Sequence, residues 1–401
     1  MKTQTVPSIV PQKPRVNARV RDLPPSGIRK FFDLVATKPG VISLGVGEPD
    51  FVTPWHICEA GIHALEVGRT SYTSNLGLME LREEAAAFYE RNYHYQYDPA
   101  GEILITVGGS EAIDLVFRSV LERGDEAIVI DPSFVSYAPL VTLAGGEPVR
   151  VPTEPERGFV PRRADLERAV TPQTRMLVLN YPNNPTGAAL TREQAAAIVD
   201  FALGHHLLVV SDELYLQLTY DGEEVSFGAF PELREQLILI HGFSKSWAMT
   251  GWRLGIALGP GEFIDAMMKV HQYSIMCAPT LAQYGALEAL KHGDEEVERM
   301  RKEYDARRRF ITHHLNRIGL SCVPPKGAFY IFPSIRSTGM SSEEFATRLL
   351  EEENVAVIPG SAFGDAGEGH VRCSYAASLE QIREAVIRIE RFVTRNRAAD
   401  S

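Results

Sequence analysis

The chain has 401 residues, 44% hydrophobic and 23% charged, enough to bury a large core and too long for one compact layer pair, so two domains are expected. Its formal net charge of −11 argues against nucleic acid as a bulk electrostatic partner, and no apolar run approaches the ~20 residues of a membrane span. Cys58, Cys277, Cys322 and Cys373 form neither a CxxC pair nor a zinc-ligand spacing, so reduced thiols and no metal are expected.

In chain order, the stretch MKTQTVPSIVPQKPRVNARV has basic residues and prolines but no continuous apolar segment or small-residue cleavage site. It reads as an arm over residues 1–25 of a cytoplasmic protein, loose unless it docks. From about 78 to 260, short apolar runs alternate with longer helical patterns. Strand candidates are Ile103–Thr106, Ala127–Ile130, Glu147–Val151, Met176–Leu179, Leu207–Val210, Leu237–Ile240 and Leu254–Leu258. Between them LMELREEAAAFYERNY, SEAIDLVFRSVLE, SFVSYAPLVTLA and TREQAAAIVDFALGHH carry apolar residues at three-to-four spacing. Such alternation predicts an α/β fold with a mostly parallel seven-stranded sheet covered by helices on both faces. Beyond about 290, charged helix patterns flank short strands such as AFYIF and HVRCSYA, which fits a smaller α+β domain. The expected division is a large domain over 46–275 and a small one from 26–45 with 276–401, bridged by a long helix within 260–320.

In a sheet of this kind the loops after the strand C-termini share one crevice. After Ile103–Thr106 comes VGGSEAI, where Gly109 permits close backbone approach, Ser110 can cap a helix, and the first amides suit a phosphate; a routine helix start is the competing reading. After Met176–Leu179 comes NYPNNPTG. Its prolines and glycine make a tight turn, but turn-making does not demand Asn183 and Asn184 together. After Leu207–Val210 comes SDELY, in which Asp212 is a partly buried carboxylate needing a cationic or donor partner, or else a helix N-cap; Tyr215 lies close by. After the apolar run LILI comes HGFSKSWAMTGWR, with Ser244, Lys245 and Arg253 at the rim of the sheet. A phosphate cradle, an amide, a carboxylate with a phenol, and a lysine with an arginine together match pyridoxal 5′-phosphate.

NYPNNPTG, SDELY, HGFSKSWAMTGWR and VRCSYA, in this order, resemble the class I/II, fold-type-I aminotransferases, as do SLGVGEPDF and GRTSYTSNLGLMELR. The resemblance runs from roughly residue 20 to the end. SGIRKF, KVHQYSIMCA and KGAFYIFPSIRSTGMSS are similar, more narrowly, to aminotransferase A, the N-acetyl-LL-diaminopimelate aminotransferases.

The resemblance implies an aspartate-aminotransferase-like fold and a ping-pong exchange of an amino group between an L-amino acid and a 2-oxo acid, 2-oxoglutarate being expected. By it, Lys245 forms the Schiff base with the cofactor and then moves the substrate proton, a role that desolvation and neighbouring positive charge favour. Asp212 keeps the pyridine nitrogen protonated; Tyr215 and Asn184 bond the ring's phenolic oxygen. Gly109, Ser110, Ser244 and Arg253 hold the phosphate, and Phe134 stacks on the ring, unless it is a core helix residue. Arg372 clamps the substrate carboxylate bidentately, or serves an edge-strand salt bridge. Gly47 offers its backbone to the same carboxylate. The family builds its sites across a homodimer interface, where Tyr72 would reach the partner's phosphate and Ile28 of the arm would pack near substrate. Arg29, Lys30, Lys326 and Tyr330 could favour an acidic side chain, or be ordinary surface and small-domain groups; aromatic and acetyl-diaminopimelate substrates fit equally. A carbon–sulfur β-lyase on the same cofactor is the main alternative. An aminotransferase-like effector domain of a regulator is a distant one, since only a short arm is expected ahead of the fold.

Overall fold

The computed structural model describes residues 15–25, 27–28 and 38–397. The first fourteen residues of the expected arm, with Arg29 and Lys30, lie outside them. Strand β1 (Ile42–Ser43) stands apart from the central sheet. That sheet contains β2 (Ile103–Thr106), β3 (Glu126–Asp131), β4 (Glu147–Pro152), β5 (Thr174–Asn180), β6 (Leu208–Asp212), β7 (Leu237–Gly242) and β8 (Gly255–Leu258). Their spatial order is β2-β8-β7-β6-β5-β3-β4, and β8 runs antiparallel to both of its neighbours while the other pairs are parallel. This is the mostly parallel α/β sheet expected.

The continuous apolar runs follow from burial on both faces. Leu237 and Leu239 of β7 point into one core and Ile238 and Ile240 into the other. On the second face the helix Gly109–Val120 packs against Gly261–Ser274; on the first, Trp55–Glu66 and Met79–Tyr93 pack against Thr280–His292. Strand β4 is the exception, largely exposed and carrying Pro148 and Pro152, which an edge position tolerates because no ladder donor is required there.

The C-terminal part adds β9 (Tyr330–Ile331), β10 (Val355–Ala356), β11 (Ile358–Pro359) and β12 (Val371–Ser374). Strands β11, β12 and β9 form a small antiparallel sheet, and β10 pairs in parallel with β1 through Ile42 and Val355. A 24-residue helix, Asp294–Arg317, packs on the C-terminal helix Leu379–Arg395, which begins at a capping box formed by Ser378 and Gln381. The stretch SFVSYAPLVTLA is helical only from Tyr137, residues 132–136 forming a bend and a turn; Phe134 is therefore a loop residue, not a helix-core one.

Candidate active site

The ends of β2, β3, β5, β6 and β7 and the approach to β8 open on one cavity of about 530 Å³, closed on the far side by β9 and β12. Ile28, Gly47, Gly109, Ser110, Phe134, Asn184, Asp212, Tyr215, Ser244, Lys245, Arg253, Tyr330 and Arg372 all line it, whereas Asn183 does not and Tyr72 stands outside with 79% of its surface exposed. Lys326 is exposed and away from it.

At the end of β2, Gly108 has φ of 79° and precedes the helix Gly109–Val120. A Cβ on Gly108 would lie 2.7 Å from Arg253 Nη2, so the missing side chain is what lets that guanidinium rest against the helix start. Ser110 does not cap the helix; its side chain is exposed to the cavity instead. Arg253 is itself in the left-handed region, φ 55°, with Nη1 donating to Thr250 O at 2.9 Å.

The two asparagines of the turn divide the work. Asn183 Oδ1 accepts from Thr186 N at 3.1 Å and Thr186 Oγ1 at 2.7 Å, so it builds the turn. Asn184 instead faces the cavity, and its Oδ1 accepts from Arg372 Nη1 at 2.9 Å. Asn180 ties this loop to β6, its Nδ2 donating to Asp212 O and its Oδ1 accepting from Asn184 N, both at 2.9 Å.

Asp212 ends β6 and is not a helix cap: Leu214 N donates to its Oδ1 at 3.2 Å within a turn. Tyr137 OH donates to Oδ2 at 2.6 Å. Burial pushes the carboxyl up to about 6 against the pull of those two bonds and of Lys245. Lys245, in the short helix Phe243–Ser246 that follows β7, donates from Nζ to Gly47 O at 2.6 Å. Desolvation brings its ammonium down to about 8; Glu48 opposes the shift and the cationic Arg372 adds to it. A primary amine is thus poised to lose its proton near neutrality.

Arg372, on β12, is 2% exposed. Its Nη2 donates to Gly45 O at 2.6 Å, its Nε has no partner, and Tyr330 and Phe363 cover its faces at 4.4 and 4.8 Å. The bonds it makes are to neutral acceptors. A buried guanidinium so arranged has the chemistry to receive an anion. Among the described residues no carboxylate forms a salt bridge with Arg372, so the salt-bridge alternative finds no support there.

These observations fit pyridoxal 5′-phosphate. A glycine-opened helix start beside Arg253 suits the phosphate, a buried carboxylate suits the pyridine nitrogen, and a neutralisable amine suits the aldehyde. Tyr137, Asn180, Glu48 and Thr250 also belong to the site or support it and were not found by sequence reasoning. Tyr137 sat inside a stretch with ordinary helical periodicity, which gives no sign that its hydroxyl matters.

The sequence model for aminotransferase class I and II matches residues 39–389. The chain is similar to a putative aminotransferase, YugH, of Bacillus subtilis, with 53% identity over 93% of this chain and 97% of that one. It is 43% identical to a probable N-acetyl-LL-diaminopimelate aminotransferase of the same organism, over 96% of this chain and 97% of that one. Among solved structures, aspartate aminotransferase from Thermus thermophilus with maleate superposes with a TM-score of 0.90 at 40% identity, covering 94% of this chain and 99% of the other. The fold is thus aspartate-aminotransferase-like, and the chain belongs to the class I and II aminotransferases, enzymes that use pyridoxal 5′-phosphate.

Proposed function

We propose that this protein carries an amino group from an L-amino acid to a 2-oxo acid, with 2-oxoglutarate as the usual acceptor, in two successive half-reactions of ping-pong type. The observation that carries this reading is one cavity holding both a desolvated amine, Lys245, and a buried guanidinium, Arg372, with no anionic partner among the described residues. When bound, the cofactor supplies an aldehyde to take an amine and a ring to accept electrons from the substrate Cα.

The chain's own groups do the rest. Lys245 Nζ would hold the cofactor through its aldehyde and, when free, would serve as the base that takes up and delivers the substrate Cα proton. Asp212 keeps a proton on the pyridine nitrogen, and its bond from Tyr137 fixes its orientation. Tyr215 and Asn184 donate to the ring's phenolic oxygen. Gly109, Ser110, Ser244 and Arg253 hold the phosphate, with Phe134 against the ring. Arg372 and the Gly47 backbone receive the substrate carboxylate, and Ile28 covers it.

The same reading makes the protein a cytoplasmic homodimer in which Tyr72 reaches the partner's phosphate site; its exposure outside its own cavity supports this. The domain division, 1–25, 46–275, and 26–45 with 276–401, is supported at its first boundary by the pairing of β1 with β10. The helix Thr280–His292 packs on Trp55–Glu66 of the large part, which favours a second boundary near 293. Acidic, aromatic and N-acetyl-diaminopimelate donors are the substrate classes to screen.

Borohydride reduction of the holoenzyme and peptide mapping test the core of the proposal. The pyridoxyl label is expected on Lys245; a label elsewhere, or none, overturns it. Mixing with one amino donor should convert the cofactor stoichiometrically to its amine form, whereas sustained release of pyruvate and ammonia would mark a β-lyase. Sedimentation should find a dimer; a fully active monomer overturns that part.

A further inference from the structure

Tyr330 touches both halves of the site, and the proposed reaction gives it no role. It lies on β9, in register with Ser374 of β12 and therefore diagonal to Arg372 on the same sheet face. Its side chain is 1% exposed. The ring lies under the Arg372 guanidinium, 4.4 Å from its carbon, and the hydroxyl is 2.8 Å from the Tyr215 hydroxyl. A Cβ on Gly47 would come within 2.7 Å of that same hydroxyl, so the glycine that accepts from Lys245 also makes room for Tyr330.

Each of two phenols in contact has its own proton but only one of the two can lie in the bond between them, and which of them donates decides what Tyr215 has left to offer. A guanidinium over the Tyr330 ring makes its hydroxyl the more acidic of the two, hence the donor. Tyr215 then accepts from Tyr330 and keeps its own proton for the cavity. The same cation–π contact holds Arg372 in the plane from which its free Nε and its Nη groups meet an anion.

We propose that Tyr330 is a positioning residue serving cofactor and substrate together: its hydroxyl aims the Tyr215 phenol and its ring fixes the Arg372 guanidinium. This rests on the reading that Tyr215 faces the cofactor's ring oxygen and that Arg372 receives the substrate carboxylate. A phenol donating to that ring oxygen stabilises its anion, which lets the neighbouring nitrogen lose its proton at lower pH. Without the Tyr330 hydroxyl, Tyr215 can turn away and the midpoint rises.

The test compares Tyr330→Phe and Tyr330→Leu as holoenzymes, by pH titration of the visible cofactor absorbance and by KM and kcat for an amino donor. Tyr330→Phe should raise the absorbance midpoint by about 0.5–1 pH unit, the size of one net hydrogen bond, and leave KM within about twofold. Tyr330→Leu should show the same midpoint shift and a KM higher by about 3–30-fold, the size of a lost cation–π contact. A lowered melting temperature with an unchanged midpoint in Tyr330→Phe, or an unchanged KM in Tyr330→Leu, overturns the proposal. If the wild-type protein shows no lysine-bound cofactor absorbance, the broader reading has failed, not this one alone.

Discussion

The two walls of the cavity are built on different plans. On the central-sheet side each group follows the end of a strand: Gly109 after β2, Asn184 after β5, Asp212 at the end of β6, Lys245 after β7. On the opposite side Tyr330 and Arg372 sit within strands and are almost wholly buried. Strand-end groups are placed by topology, since parallel strands bring their C-termini to one rim. Groups within a strand are placed by how the small sheet docks, so the substrate-facing wall depends on a packing arrangement and the cofactor-facing wall on a chain path. The central-sheet wall should tolerate loosening of the small sheet; the opposite wall should not.

Substitutions on the two walls should therefore separate cofactor loss from substrate loss. The largest effect falls on the central-sheet wall. Lys245→Ala should lower turnover by ~10²–10⁴-fold or more and abolish borohydride labelling, with the melting temperature of the cofactor-free protein preserved or raised. Turnover near the wild-type level would break the division. Next comes Arg372→Lys, which keeps the charge and loses the fork. On the proposed role of Arg372, KM for the amino donor should rise by ~10–100-fold while the visible cofactor absorbance stays, since the cofactor is held chiefly from the central-sheet wall. Loss of cofactor from this variant would show that the walls are not separable.

The smallest expected effect is on stability, and it has a sign opposite to intuition. Asp212 is held at about 6 in the cofactor-free fold, above its ordinary 3.8. The native state thus keeps the proton to higher pH than the unfolded chain does, and stability is lost as pH rises from about 4 through about 6. Asp212→Asn should make the cofactor-free protein more stable at pH 7, by up to ~3 kcal/mol, with the difference vanishing below about pH 4. Denaturant unfolding at the two pH values reads this directly, and a variant less stable at pH 7 would refute the burial argument. The same substitution should weaken cofactor binding.

What could be read in the sequence follows the same line. Lys245, Asp212 and Asn184 were visible because an apolar run announced each strand and each lies in the polar segment that follows its end, though helix capping or turn-making could account locally for the last two. Arg372 was visible only through resemblance to a family, since an arginine in VRCSYA has no local signature. Asp212 and Glu213 show the limit sharply. Adjacent carboxylates alternate faces, so one enters the cavity while the other points to the far side of the sheet. There Glu213 Oε1 accepts from Ser211 Oγ and Phe227 N, both at 2.9 Å, and its other oxygen is 3.6 Å from His241 Nε2. Burial pushes its carboxyl up to about 7, as it also raises Asp212, yet it is not among the groups lining the cavity. Period two predicts the opposition of the pair but not which member faces the ligand.

The pairing of β1 with β10 bears on how the protein is made. Ile42 leaves the ribosome early, but Val355, its partner, is synthesised only after the whole central sheet. Until then the segment carrying Gly45 and Gly47 has no partner for its ladder, and the backbone oxygens that receive Arg372 and Lys245 have no fixed position. The central sheet can assemble during translation, whereas closure of the site waits for a contact of very high sequence separation, the slow class of folding event.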